Sequence, residues 1–397
     1  MPVSKRVENI GVSPTMKIAA KAKEMRASGE DVVDLSVGEP DFPTPANIKE
    51  AAIKAINNNQ TGYTINAGTV ELRQAIANRI KSDYNLDYGI GDIIVSCGAK
   101  HSIFNIIEAI CYVGDEIIIP APYWVSYPEM VSVAQGDAKI IETTQAGDFK
   151  ITPKQLKDAI TPYTKALILC SPSNPTGSVY TKEELEAIAE VILDKNIYVI
   201  SDEIYDKLVY DDFKFTSFPS LGEEIKKKTI LVNGVSKAYS MTGWRIGYTA
   251  GPSDVIKGIN KIQSHSTSNA TSIAQAAAAE AFSGPQDAVE EMRVEFEKRR
   301  NFMHEALNSM PGVSANMPKG AFYLFPDVSG VFGKSDGDTK IDNSYDFSMY
   351  LLNESKVATV PGSSFGAEGF VRISYANSME NLKKAVERMQ NAIAKLS

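Results

Sequence analysis

Short apolar runs and longer amphipathic stretches alternate along this chain from about residue 48 to residue 280. Runs of strand length fall at Asp92–Val95, Lys165–Cys170, Ile197–Ile200 and Thr229–Asn233. The stretches between them carry the helical period. The one after Tyr180 is well signalled, because Thr181 and Glu184 make a capping box ahead of an apolar stripe. Such alternation predicts an α/β fold with a mostly parallel, helix-covered sheet. Gly284-Pro285 breaks the pattern. A long charged helix is predicted from Gln286 to Ser309. Strand-like runs follow at Gly320–Phe325, Val357–Val360 and Phe370–Ser374, with a terminal helix from about Ser378. That second part reads as a smaller α+β domain. The segment Val328–Asn343, rich in Gly, Asp and Ser, reads as a mobile surface insertion.

Composition narrows the picture without redrawing it. At 397 residues, 43% hydrophobic and 23% charged, the chain has room for a sizeable core and two domains. A net charge of −8 and the lack of a basic tract argue against a nucleic-acid partner. Cys97, Cys111 and Cys170 are odd in number and widely spaced, so they read as buried free thiols of a reducing compartment. They suggest no metal spacing with the histidines. The N-terminus lacks the apolar core of a secretory signal, and no run approaches the ~20 apolar residues of a membrane span. The expectation is a cytoplasmic protein without a membrane partner.

Candidate chemistry clusters where the predicted strands end. Past Thr229–Asn233 comes Ser236-Lys237, with Arg245 eight positions beyond the lysine. A lysine amine can form a Schiff base with an aldehyde, and an arginine fork suits a phosphate. Past Lys165–Cys170 comes Ser171-Pro172-Ser173-Asn174-Pro175-Thr176-Gly177, where Asn174 offers a neutral amide donor to a phenolic oxygen. Past Ile197–Ile200 comes Ser201-Asp202-Glu203-Ile204-Tyr205. An aspartate at a strand's C-terminal end faces the ligand crevice of an α/β sheet, where it would keep a pyridine nitrogen protonated. Past Asp92–Val95 comes Ser96-Cys97-Gly98-Ala99-Lys100, small residues whose amides open a helix and suit a phosphate. Singly, each has an ordinary reading: a surface lysine, a loop amide, a helix N-cap, a common turn.

Together, and with VGEPDFPTP at 37–45, GYTINAGTVELR at 62–73, APYWVSYPEM at 121–130 and FVRISYA at 370–376, these segments give a specific resemblance. The chain resembles the class I, fold type I pyridoxal-phosphate aminotransferases, and within them the bacterial aspartate aminotransferase branch. The likeness runs from about residue 13 to the C-terminus. It implies a seven-stranded, mostly parallel sheet in a large domain over residues 46–285. Residues 1–45 and 286–397 would form the N-terminal arm and small domain. It implies pyridoxal 5′-phosphate as cofactor, and amino acids and 2-oxo acids as substrates. It also implies a homodimer with shared active sites.

The resemblance also assigns roles. Lys237 would hold the cofactor and move the substrate proton. Asp202 would pair with the ring nitrogen, and Asn174 and Tyr205 with its O3′. Arg245, Ser236 and the amides of Gly98, Ala99 and Lys100 would anchor the phosphate, with Tyr63 reaching that of the neighbouring subunit. Trp124 would flank the ring, and Gly38, Trp124 and Asn174 would line the amino-acid site. Arg372 would grip the α-carboxylate, and Lys100 the distal carboxylate of a dicarboxylic substrate.

The implied reaction moves the amino group from L-aspartate to 2-oxoglutarate through the pyridoxamine form of the cofactor. An aromatic, prephenate or broad specificity is the alternative, as is a β-lyase on the same scaffold. A regulator using this scaffold to bind DNA would need an added helix-turn-helix segment. Two positions depart from the branch pattern. Met16 stands where many members have a threonine, and Gly234 stands where some have a phosphate-binding serine.

Overall fold

The structure, a computed structural model, describes residues 3–8, 10–11 and 14–397. Ser13, where the resemblance begins, and the side chains of Thr15 and Met16 lie outside the described residues.

Seven strands form the main sheet: β1 (Ile93–Ser96), β2 (Glu116–Ala121), β3 (Asp137–Glu142), β4 (Thr164–Cys170), β5 (Tyr198–Asp202), β6 (Thr229–Gly234) and β7 (Gly247–Ala250). Their spatial order is β1-β7-β6-β5-β4-β2-β3. Every pairing is parallel except those of β7, which runs antiparallel to both β1 and β6. The parallel strands β4, β5 and β6 are apolar almost throughout because helices cover both faces. The capping box at Thr181 forms as the sequence predicts: its side chain accepts from the Glu184 N–H, and Glu184 returns the bond to the cap.

Four of the parallel strands, β2, β4, β5 and β6, end on one side of the sheet, so the turns after β4, β5 and β6 meet there. The predicted long helix spans Asp287–Asn308. Beyond it, Tyr323–Leu324, Val360–Pro361 and Val371–Ser374 make a small antiparallel sheet. The N-terminal arm joins this part of the chain: Val33–Asp34 pairs in parallel with Val357–Ala358, and Ile18, Ala22 and Met25 pack with Leu352 and Ala358. One apolar cluster runs from Tyr205 and Leu208 through Phe322 and Tyr323 to Val371 and Leu382, so the small sheet lies against the ends of the large one.

The segment 328–343 differs from expectation. It carries a two-stranded hairpin, Ser335–Asp336 with Thr339–Lys340, and Val328, Val331 and Ile341 are buried in that same cluster. Its polar composition describes the hairpin alone, while three apolar side chains anchor the segment to the core.

Candidate active site

A cleft of about 440 Å³ opens where the strand-end turns meet the small sheet. Of the residues singled out from the sequence, it is lined by Gly38, Ala99, Lys100, Trp124, Asn174, Asp202, Tyr205, Ser236, Lys237, Arg245 and Arg372. Gly98 lies just behind the wall and Tyr63 lies outside.

Lys237 stands at the centre. Its Nζ donates to the Gly38 carbonyl at 2.6 Å and sits 5.7 Å from the Tyr205 ring centre. Burial, reinforced by the Arg372 charge, pushes the amine down to about 8, which brings its neutral form within reach near physiological pH. Asp202 closes the floor. Its Oδ2 accepts from the Tyr127 hydroxyl at 2.6 Å, and its Oδ1 from the Ile204 N–H at 3.3 Å. Burial pushes this carboxyl up, and the Tyr127 bond pulls partly against it. A cation facing Asp202 would favour its charged form.

Arg372 reaches in from the small sheet. Its Nη1 donates to Asn174 Oδ1 at 2.9 Å and its Nη2 to the Ser36 carbonyl at 2.6 Å. Its buried Nε has no partner among the described residues, which suits a carboxylate. Because Asn174 Oδ1 faces the arginine, the amide NH2 is the end left for an acceptor in the cleft. The Tyr205 and Tyr323 hydroxyls are 2.8 Å apart. Burial first, then Tyr323, raises Tyr205 well above the usual phenol range, so it stays a neutral donor.

One wall is a candidate anion cradle. The helix Ala99–Ile110 begins at Gly98, which supplies no side-chain cap, so its first N–H groups are left for a ligand. Arg245 lies flat on this turn. A Cβ on Gly98 would sit 2.4 Å from Arg245 Nη2, and the guanidinium is held by the carbonyls of Thr242 (2.9 Å) and Cys97 (3.3 Å). Gly247 permits the approach from behind, since a Cβ there would lie 2.3 Å from the Ala99 nitrogen. The same crowding accounts for Gly234: a Cβ on it would meet the Gly247 Cα at 2.8 Å, leaving no room for a serine in this chain. Lys100 leans over Trp124, its Nζ 4.8 Å from the ring centre. Burial first and then the Arg245 charge lower its pKa.

Several cleft residues escaped the sequence reading, among them Tyr127, Glu39 and Tyr323. Tyr127 sits inside a quoted motif, three positions after Trp124, and that spacing was the available signal. Glu39 follows Gly38 directly and accepts from Thr242 Oγ1 at 2.8 Å. Tyr323 gave no signal, because it reads as one more apolar strand residue.

A single cleft therefore brings together an amine, a buried carboxylate, phenolic and amide groups, a helix N-terminus beside Arg245 and a buried arginine. The family model for aminotransferase class I and II matches residues 30–389, and the chain belongs to that family. It is 50% identical over 389 residues to the aspartate aminotransferase of Geobacillus stearothermophilus, with 98% of each chain covered. It is 47% identical to a probable aspartate/prephenate aminotransferase of Rickettsia conorii, again over 98% of each. Among solved structures, the Rhizobium meliloti aspartate aminotransferase superposes with a TM-score of 0.97 at 42% identity, covering 100% of both chains. The Thermus thermophilus aspartate aminotransferase with maleate gives 0.92 at 42% identity, over 99% of this chain and 100% of that one. Among the described residues, no helix is long and apolar enough to cross a membrane.

Proposed function

We propose that this chain is a pyridoxal-phosphate-dependent aminotransferase that moves the amino group from L-aspartate to 2-oxoglutarate, giving oxaloacetate and L-glutamate. The observation that carries the reading is that Lys237, Asp202 and Arg372 line one cleft, where burial and the Arg372 charge lower the pKa of the lysine amine. The fit to the cofactor is good. Arg245, Ser236 and the amides of Ala99 and Lys100 would hold its phosphate, the Gly98 N–H being donated to the Ser96 carbonyl at 2.8 Å, and Asp202 would hold its ring nitrogen. Asn174 and Tyr205 would hold its O3′, and Trp124 would flank the ring. When bound, the cofactor supplies an aldehyde that captures amines and an electron-poor ring that spreads the charge left by a broken Cα–H bond.

The chain's own residues do the rest. Arg372 grips the substrate α-carboxylate and fixes Cα in reach of Lys237. The lysine, once neutral, removes the Cα proton and holds it for delivery on the far side of the substrate nitrogen. Asp202 stays ionised opposite positive charge and steadies it. Lys100 meets the second carboxylate of a dicarboxylic substrate. Gly38 lets Tyr323 close against the cleft wall, since a Cβ there would meet the Tyr323 hydroxyl at 2.5 Å. Residues 46–285 form the cofactor-holding unit in this reading, and 1–45 with 286–397 close over it. The active unit is a cytoplasmic homodimer in which Tyr63, on the surface of its own subunit, enters the neighbour's cleft.

A second reading is supported by relatives named aspartate/prephenate aminotransferase at 44% and 47% identity. Prephenate also carries a second carboxylate that Lys100 could meet. A half-reaction screen separates the two. Holoenzyme is mixed with single amino acids, arogenate included, and the absorbance change of the cofactor is followed. A fast change with aspartate and glutamate alone supports the first reading. An equally fast change with arogenate favours the second, and no change with any amino acid overturns both.

A further inference from the structure

Tyr63 is 95% exposed, yet the loop that carries it, residues 62–69, is firmly held. Two glutamines with no exposed surface, Gln263 and Gln275, grip its polar groups. Gln275 Nε2 donates to Thr64 Oγ1 at 3.0 Å and to the Ala270 carbonyl at 2.7 Å, while its Oε1 accepts from the Thr69 N–H at 2.8 Å. Gln263 Nε2 donates to the carbonyls of Asn66 and Val95, both at 2.9 Å. Its Oε1 accepts from Ser96 Oγ and Asn105 Nδ2, both at 3.2 Å. Asn66 Nδ2 adds a bond to Asn260 Oδ1 at 2.6 Å.

The loop is also bolted to the edge of the sheet. The Val95 N–H donates to the Ala67 carbonyl at 2.9 Å. Gly68, at φ +101°, approaches so closely that a Cβ would lie 2.6 Å from Val95 Cγ2. Val95 and Ser96 are the last residues of β1, immediately before the cradle turn Cys97-Gly98-Ala99. One amide, Gln263, thus holds the strand that ends in the anion cradle and the loop that displays Tyr63. A buried amide with both its donors and its acceptor engaged specifies one arrangement of its partners, because any shift leaves a polar group unpaired in the core.

We infer that Gln263 is a positioning residue that ties the phosphate cradle of its own subunit to the Tyr63 side chain this subunit lends to its neighbour. The inference rests on the shared-site dimer proposed above. Gln263 does not line the cleft. It acts through the loop, by keeping an exposed aromatic side chain in one place.

A double-mutant cycle tests it on the full-length holoenzyme dimer, with the release rate of pyridoxal 5′-phosphate, read by absorbance, as the signal. Tyr63→Phe should speed release at least about tenfold and Gln263→Met at least about threefold. If Gln263 works through Tyr63, the double variant should release no more than about twofold faster than Tyr63→Phe alone. Equal acceleration by Gln263→Met in both backgrounds would overturn the inference and leave the glutamine serving its own cradle only. No acceleration by Gln263→Met would overturn it as well. A Tyr63→Phe dimer that releases cofactor at the parental rate would instead remove the shared-site reading, and the coupling with it. If Gln263→Met does not fold, Gln263→Glu, which keeps the side chain's shape but loses the amide donors to Asn66 and Val95, runs the same cycle with the same outcomes.

Discussion

The Tyr127 hydroxyl donates to Oδ2 of Asp202 at 2.6 Å, joining the wall under Trp124 to the buried carboxylate of the cleft floor. Burial raises that carboxyl and the tyrosine holds it down, so its charge depends on this bond. Tyr127→Phe should raise the Asp202 pKa further. The working form is the carboxylate, so the acid limb of the kcat/KM profile should move to higher pH. A hydrogen bond to a charged group contributes about 1.5–3 kcal/mol, so kcat should fall roughly tenfold to a hundredfold. Asp202→Ala should lose several orders of magnitude. An unmoved acid limb in Tyr127→Phe would mean that the bond does not set the charge of Asp202.

Lys237 should be the residue that carries the cofactor. Borohydride reduction of the holoenzyme followed by peptide mapping should place the pyridoxyl group on Lys237, and a label on Lys100 would refute the assignment. In the cofactor-free protein, amine-directed labelling of Lys237 should rise with pH to a midpoint near 8, well below an ordinary lysine. The unfolded chain binds this proton more tightly than the folded one, so Lys237 weakens the cofactor-free fold below about pH 8. That penalty is relieved as the pH climbs from about 8 towards the unfolded lysine value near 10.5.

Tyr63 and Lys237 should complement across subunits. Tyr63→Phe and Lys237→Ala proteins should each be weak or inactive alone. A mixed dimer should regain one complete site, with Lys237 from one subunit and Tyr63 from the other. Active enzyme that sediments as a monomer would exclude the shared site. So would exchanged dimers that recover nothing.

Lys100 and Arg372 should divide the substrate between them. Lys100→Ala should lower kcat/KM for aspartate and glutamate at least about tenfold, since truncating one partner of a desolvated charge pair leaves the other unpaired. Phenylalanine, with one carboxylate, should be affected far less. Arg372→Ala should depress all three, because each brings an α-carboxylate to the guanidinium that Asn174 and Ser36 already orient. An equal loss on all three substrates for Lys100→Ala would reassign that lysine to the cradle beside Arg245.

The strand-end placement of the candidate residues was legible in the sequence because it is local. Asp202, Asn174 and Lys237 each follow an apolar run within a few residues, and a parallel sheet delivers the ends of neighbouring strands to one side whatever else the chain does. The capping box at Thr181 and the long helix from Asp287 were legible for the same reason, since their signals lie within a turn or two. The tertiary structure alone decided the contacts between distant segments. Arg372 meets Asn174 across 198 positions, and Lys237 meets the Gly38 carbonyl across 199. Tyr323 and Tyr127 became cleft residues only when the small sheet and the helix Ser126–Val133 were set against the strand ends. The segment 328–343 looked mobile because its Gly, Asp and Ser residues describe their own solvation. Val331 and Ile341 are held by a core built from the rest of the chain. Periodicity and turn chemistry act over a few residues, whereas burial and charge pairing depend on which surfaces the finished fold brings together.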